Sequence, residues 1–98
     1  MIEVRQTVIY ADWIARLRDD RARMRIETRI RRLQLGNAGD VKPVGTGVSE
    51  LRIDFGPGYR VYLTHRGSTV VVLLAGGDKR SQAKDIRIAI ELARHLKD

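Results

Sequence analysis

The stretch that decides the fold runs from Leu51 to Gly77 and reads LRIDFGPGYRVYLTHRGSTVVVLLAGG. At its start, Leu51, Ile53 and Phe55 alternate with polar residues, the period-two pattern of a strand with one buried face. Turn formers at 56–58 and 66–68 separate this strand from a second over 59–65 and a β-branched third over 69–74. The stretch therefore predicts an antiparallel meander of three strands that ends at Gly76-Gly77.

The residues around the meander predict one more strand and three helices. Alternation over 2–6 indicates a strand, after which Thr7 is placed to cap a short helix from Ile9. Apolar residues at helical spacing predict a second helix over 20–35, capped by Asp20 and stopped by Gly36. The turn-rich segment 36–47 is predicted to be a loop, and Asp78 or Ser81 is expected to cap a last helix.

These elements predict a single α+β domain over residues 1–98, with the order β-α-α-β-β-β-α. We expect a largely antiparallel sheet packed on helices on one face, because each apolar helix stripe must bury itself against the sheet. The other face would then be open. With a simple hairpin register, Arg52 and Asp54 would share that open face with Arg60, Tyr62 and Thr64.

The charge balance predicts the class of partner. Nineteen Lys and Arg residues against twelve Asp and Glu give a net charge of +7, which attracts nucleic acid or an acidic protein. A basic surface that only confers solubility is the alternative.

The chain has no cysteine, which excludes disulfides and thiolate chemistry. Its longest apolar run, 70–75, is too short to span a membrane, and a reducing, cytoplasmic setting is expected.

The predicted open sheet face carries the most specific pattern. Arg52 and Arg60 would lie on adjacent strands, with Lys79 and Arg80 arriving from the loop before the last helix. Guanidinium groups grip phosphate oxygens and stabilise added charge on phosphorus, and Tyr62 would offer a ring on which a base can stack. The pattern fits an RNA-cleaving site. The alternative is that Arg52 forms an ordinary ion pair with Glu50 or Asp54.

A second cationic feature lies on the second predicted helix. Four arginines at helical spacing form what we call the α2 arginine ridge: Arg21, Arg25, Arg29 and Arg32. The ridge can bind RNA phosphates or an acidic partner, or it can be a solvated helix face whose side-chain stems cover apolar neighbours.

No metal or nucleotide cofactor is predicted. The two histidines, His65 and His95, lie on different elements without a matching set of ligands. The glycines match neither a Walker loop nor a dinucleotide fingerprint. His65 is either a general base or an ordinary turn residue.

Two sequence blocks carry a family resemblance: SELRIDFGPGYRVYLTHRG at 49–67 and VVVLLAGGDKRSQAKDIRIA at 70–89. Together with WIARLRDDRARMRIETRIRRLQLGNAGDVKPVG at 13–45, they resemble the RelE/HigB-like toxins of type II toxin-antitoxin systems. The similarity is to the Gp49-like addiction module killer branch and extends over nearly the whole chain.

This resemblance implies a ribosome-dependent, metal-independent endoribonuclease, or mRNA interferase, that arrests translation. In such relatives the 2′-hydroxyl of the RNA attacks the neighbouring phosphate and leaves a cyclic phosphate. Arg60 corresponds to the phosphate-stabilising arginine of the family, and Lys79 and Arg80 fall at its basic loop. Arg52 is carried over less directly. The partners implied are the ribosome, mRNA and a cognate antitoxin with a helix-turn-helix domain, such as a HigA-like protein.

The chain departs from the RelE pattern in one respect, because no tyrosine stands near Lys84 and Asp85 in the last segment. Asp85 can take part in the reaction, as carboxylates do in some HigB-like members, or it can simply complement the helix macrodipole. Two rival functions remain open: a ParE-like inhibitor of DNA gyrase, and a non-catalytic binding module that partners a DNA-binding antitoxin.

Overall fold

A computed structural model describes residues 1–96, so the last two residues of the predicted 1–98 domain lie outside the described residues. The elements in chain order are β1 (Glu3–Gln6), α1 (Val8–Arg16), α2 (Asp20–Gln34), β2 (Val41–Gly45), β3 (Val48–Ile53), β4 (Tyr59–Arg66), β5 (Val70–Asp78) and α3 (Gln82–Arg94). A single 3₁₀ turn, Lys79–Ser81, joins β5 to α3. The sheet order is β1-β5-β4-β3-β2, in which β1 pairs parallel to β5 and the other pairs are antiparallel. The α+β class and the largely antiparallel sheet are confirmed.

The ends of the first two helices follow from side-chain capping. The Thr7 hydroxyl accepts the Tyr10 N–H at 3.0 Å and donates to the Leu74 carbonyl at 2.7 Å, which ties α1 to β5. Asp19 caps α2, one residue before the predicted cap, and Gly36 ends it at a φ of +92°. None of the helices within residues 1–96 is long and apolar enough to cross a membrane.

The predicted loop over 36–47 is wrong in part, because residues 41–45 form strand β2. This strand pairs with β3, placing Val41 opposite Leu51 and Pro43 opposite Ser49. It lies at the edge of the sheet, where the missing N–H of Pro43 is tolerated. Pairing with a neighbouring strand thus overrides a composition that is typical of turns.

Gly76 and Gly77 do not end the third meander strand, as predicted, since β5 continues through them to Asp78. Their role is close packing on both sides of the strand. A Cβ on Gly76 would lie 2.2 Å from the Trp13 ring, and a Cβ on Gly77 would lie 1.9 Å from Asp85 Oδ2. Glycine is required here so that α1 and α3 can approach the sheet.

Helices cover both faces of the sheet, so the prediction of one open face is wrong. Residues such as Leu51, Val61 and Leu73 pack against α1 and α2. The alternate residues, Tyr62 and Leu74 among them, pack against α3. The apolar stripe of α3 needs a sheet face of its own, because the face under α1 and α2 is already filled.

Candidate functional site

The hairpin of β3 and β4 places two arginines directly opposite each other. Arg52 pairs in register with Arg60, and Glu50 pairs with Tyr62 one step further along. Because these pairs are two residues apart, all four side chains project from the same face of the sheet. The register predicted from the sequence is therefore confirmed. The tight turn before β4 includes Gly58, whose φ of +82° favours glycine.

The two arginines open into a cleft, here called the β3–β4 cleft, with a volume of about 280 Å³. Lys79 enters it from the 3₁₀ turn, so the structure brings together three of the four predicted catalytic residues. The complete lining is Asp40, Arg52, Ile53, Asp54, Gly58, Arg60 and Lys79. Three cations thus share a small concave space with two carboxylates.

A buried carboxylate holds the two arginines. Glu50 is fully buried, and its Oε1 accepts a hydrogen bond from Arg52 Nε at 2.9 Å. Arg60 Nε lies 3.1 Å from the same oxygen, although its N–H is not well aimed at it. Gln82 Nε2, at the start of α3, donates to Glu50 Oε2 at 2.9 Å. Glu50 therefore links β3, β4 and α3 at one point.

The guanidinium of Arg60 is the more restrained of the pair. Its side chain is 12% exposed, against 36% for Arg52. Arg60 Nη1 also donates to the Gly58 carbonyl at 2.9 Å, and a Cβ on Gly58 would lie 3.1 Å from that nitrogen. The hydrogen bond to Glu50 raises the pKa of Arg52, which keeps its charge fixed. The cleft therefore presents one mostly buried guanidinium and one more exposed guanidinium.

The 3₁₀ turn separates the two basic residues that the sequence grouped together. Asp78 caps the turn by accepting the Arg80 N–H at 2.8 Å, and it forms a 3.2 Å ion pair with the Arg80 side chain. Burial alone would raise the pKa of Asp78, but the hydrogen bonds from Arg80 outweigh it and lower that pKa. Lys79 lines the cleft, whereas Arg80 is 85% exposed and does not line it.

Asp85, the fourth predicted catalytic residue, lies behind the cleft rather than in it. It stands in the first turn of α3, 7% exposed and packed against the backbone of Gly77. Its Oδ2 accepts a hydrogen bond from Ser81 Oγ at 2.5 Å. The carboxylate therefore ties the 3₁₀ turn to α3, and it does not line the β3–β4 cleft.

The predicted stacking role of Tyr62 is wrong, because its side chain is fully buried beneath α3. Its hydroxyl has no hydrogen-bond partner among the described residues. Burial, with the nearby charges of Glu50 and Asp85, raises the pKa of this hydroxyl well above its ordinary value. No base can reach the ring while α3 is in place.

The α2 arginine ridge borders a second concavity, here called the α2 groove, with a volume of about 730 Å³. Arg25 lies 4.8 Å above the centre of the Phe55 ring, a cation–π contact. Ile53 and Asp54 line both the groove and the β3–β4 cleft. The complete lining is Arg21, Met24, Arg25, Thr28, Arg29, Arg32, Ile53, Asp54 and Phe55.

One member of the ridge differs from the other three. Arg29 donates to the carbonyl of Arg52, to that of Ala38 at 3.1 Å and to that of Asp40 at 3.3 Å. Its guanidinium thereby ties α2 to β3 and to the segment that connects α2 with β2. Arg21 and Arg32 are exposed and form no ion pair with any residue in 1–96. The ridge therefore offers three available guanidiniums and one structural one.

Sequence reasoning missed Glu50 and Gln82. Glu50 was interpreted only as a surface partner for Arg52, since alternation assigned it to an open face. The available signal was that Glu50, Arg52 and Arg60 share one face, which brings a carboxylate between two guanidiniums. Its burial could not be foreseen, because it depends on the position of α3 over that face.

His65 lies outside the β3–β4 cleft. His65 is exposed and stands five residues beyond Arg60 on β4, roughly 17 Å along the strand. Among residues 1–96, no three histidine, aspartate or glutamate side chains converge as metal ligands would.

The fold and the site together define a small basic α+β domain with a guanidinium-lined cleft. The chain belongs to the phage-derived protein Gp49-like family (DUF891), whose family model matches residues 12–98. It is 48% identical over 95 residues to an uncharacterized protein of Haemophilus influenzae, covering 97% of this chain and 96% of that protein. No solved structure matches the chain. The resemblance to the Gp49-like branch is confirmed.

Proposed function

We propose that this protein is the toxin of a type II toxin-antitoxin system and acts as an mRNA interferase on the ribosome. The observation that carries the proposal is the convergence of Arg52, Arg60 and Lys79 on the β3–β4 cleft. Three cations in one concave space suit a phosphodiester, whose cleavage adds negative charge at phosphorus. The reaction class is taken from the resemblance of the sequence to the RelE/HigB-like toxins, and membership of the Gp49-like family is consistent with it.

Arg60 is proposed to stabilise the transition state. A fixed donor lowers the barrier most, because it needs no reorganisation when charge develops on the phosphate. Arg60 is held from two sides, by Glu50 and by the Gly58 carbonyl. Arg52 and the exposed Lys79 are proposed to grip the scissile phosphate from the open side of the cleft.

Proton transfer needs a group that reaches the substrate. Asp85 is hydrogen-bonded to Ser81 behind the cleft, so we assign it to holding the 3₁₀ turn that presents Lys79. The carboxylates that line the cleft are Asp40 and Asp54. We propose that one of these two accepts the proton of the attacking 2′-hydroxyl, because a general base must come within hydrogen-bonding distance of it.

RNA outside the reacting nucleotide is proposed to bind along the α2 groove. Ile53 and Asp54 line both the α2 groove and the β3–β4 cleft, so the two concavities adjoin. An RNA strand that leaves the cleft can therefore enter the groove directly. Arg21, Arg25 and Arg32 are its available phosphate ligands, spaced about 6 Å and about 10 Å apart along the helix axis.

The proposal is tested by inducing the protein in growing bacterial cells and mapping transcript ends. Codon-phased internal cuts, with arrested translation, are the expected result. Intact transcripts accompanied by an SOS response would instead identify a gyrase inhibitor, the main rival function. Intact transcripts without an SOS response would favour a non-catalytic binding module. Induction of Arg60→Ala provides the matched control.

We also propose that an antitoxin with a helix-turn-helix domain, such as a HigA-like protein, binds and silences this chain. The net charge of +7 and the cationic α2 groove favour an acidic or amphipathic segment as its binding element. Co-expression of the adjacent open reading frame, with a tag on this chain, tests the pairing. The neighbour should restore growth and co-purify; if it does neither, the toxin-antitoxin assignment fails.

A further inference from the structure

Glu50 places a buried carboxylate between the two arginines of the β3–β4 cleft. Arg52 and Arg60 face each other across β3 and β4, an arrangement that like charges disfavour. Glu50 Oε1 lies 2.9 Å from one guanidinium nitrogen and 3.1 Å from the other, beneath both. Its other oxygen is bound by Gln82 at 2.9 Å, so the carboxylate has little freedom to rotate.

This carboxylate opposes, rather than assists, the binding of phosphate. The three cations of the cleft are matched by three carboxylates: Asp40 and Asp54 on its wall and Glu50 beneath it. A negative charge so close to the guanidiniums weakens their attraction for an anion. Burial of an ionised carboxylate is also costly unless several donors satisfy it. A group that weakens the binding of an anion in the cleft must contribute to function in another way.

We propose that Glu50 is a positioning residue, which orients the two guanidiniums for the transition state at the expense of phosphate affinity. The inference rests on the proposed function. An oriented donor accelerates cleavage only if it is already in place when charge develops, and a misplacement of about 1 Å can cost about 10²-fold in rate. Glu50 contacts the Nε atom of each guanidinium, so the Nη nitrogens of both arginines are not used by this carboxylate.

If Glu50 positions the guanidiniums, its substitution should affect RNA affinity and the rate of RNA cleavage differently. Glu50→Gln keeps the size of the side chain and removes its charge. The variant should bind RNA as tightly as the wild type or more tightly, because one opposing charge is gone. Its cleavage rate at saturation should fall by about 10²-fold, because a neutral amide holds the guanidiniums in place less firmly than a carboxylate does. If the role of Glu50 were purely structural, the substitution would instead lower RNA affinity, cleavage rate and stability together.

The experiment uses the full chain and purified ribosomes that carry a defined mRNA. Single-turnover cleavage over a series of protein concentrations gives the half-saturating concentration and the plateau rate. Glu91→Gln is the matched control, since it removes the same charge from an exposed position on α3 and should leave both values unchanged. Gln82→Met is the second variant, in case Glu50→Gln does not fold. It keeps all three charges, frees Glu50 Oε2, and should lower the plateau rate by about tenfold.

The outcomes are distinct. If the wild type leaves ribosome-bound mRNA intact, the proposed function itself is wrong. If the wild type cleaves, and folded Glu50→Gln or Gln82→Met cleaves at the wild-type plateau rate, the positioning role of Glu50 is wrong and the proposed function stands. A rise in the half-saturating concentration without a fall in plateau rate would also overturn it, because Glu50 would then serve binding.

Discussion

Arg52 and Arg60 are register partners on β3 and β4, and the Nε atoms of both lie within 3.1 Å of Glu50 Oε1. Two cations that face each other across a hairpin would ordinarily repel. Here a fully buried carboxylate offsets that repulsion, and the pair opens into a cleft. The same contact therefore stabilises the hairpin and presents two guanidiniums to a ligand.

The available arginines of the α2 groove should govern the electrostatic part of ribosome binding. Replacing Arg21, Arg25 and Arg32 together by Glu should weaken ribosome binding. The slope of log affinity against log salt concentration should also become shallower, by about 0.7 to 0.9 for each phosphate contact that is lost. Filter binding to ribosomes across a salt series measures both. Arg16, Arg18 and Arg87 are exposed and lie outside the groove, so replacing these three by Glu makes the same change in charge and serves as the control.

An equal loss in the two triple variants would contradict this prediction. The effect would then follow from net charge alone, and the α2 arginine ridge would be a solvated helix face.

Arg29 and Arg32 should differ in their effects on stability. Arg29 donates to three backbone carbonyls, and its removal takes this donor from those of Arg52 and Ala38, while that of Asp40 keeps the Arg52 N–H. Arg29→Ala should lower the free energy of unfolding by about 1–3 kcal/mol. Arg32→Ala should change it by less than about 0.5 kcal/mol, since Arg32 is exposed. Urea denaturation of both variants provides the comparison, and equal effects would show that Arg29 is not structural.

The buried hydroxyl of Tyr62 should be dispensable. It has no hydrogen-bond partner among residues 1–96, so the folded state bears its desolvation cost. Tyr62→Phe should therefore raise the free energy of unfolding by about 1 kcal/mol in urea denaturation. RNA affinity should not change, because the ring is inaccessible. A destabilised Phe variant would mean that the hydroxyl is satisfied in the folded protein.

Asp78 should contribute to acid sensitivity. Hydrogen bonds from Arg80 outweigh burial and lower its pKa below the ordinary value of 3.8. As pH falls, the unfolded chain takes up this proton before the folded one does, so acid favours unfolding. Asn retains capping ability but cannot titrate. The stability advantage of the wild type over Asp78→Asn should thus be constant above about pH 5 and shrink from there to about pH 3, as measured by urea denaturation. A constant difference across that range would contradict the assignment.

Much of the fold follows from local patterns in the sequence. Alternation at Leu51, Ile53 and Phe55 predicted β3, and a simple hairpin register placed Arg52 and Arg60 on the same face of adjacent strands. The Thr7 cap and the Gly36 stop were equally local. These features depend on a few neighbouring residues, which is why the sequence alone suffices for them.

The features that sequence reasoning missed depend on contacts between distant segments. β2 forms because β3 offers it a partner, and β5 runs through Gly77 because β4 pairs with it there. The burial of Tyr62 and Glu50 likewise follows from the position of α3. Period-two alternation assigns residues to a face of the sheet. It does not say which helix will cover that face.

The most direct test incubates the purified protein with ribosomes programmed with a defined mRNA and analyses the ends of the RNA products. We expect internal cuts in the decoding region that leave a cyclic phosphate and a 5′-hydroxyl. Arg60→Ala, still folded because Glu50 keeps Arg52 and Gln82, should cut about 10²–10³-fold more slowly. Full-length mRNA after incubation with the wild type, or equal cutting by folded Arg60→Ala, would contradict the assignment of the β3–β4 cleft as the site of RNA cleavage.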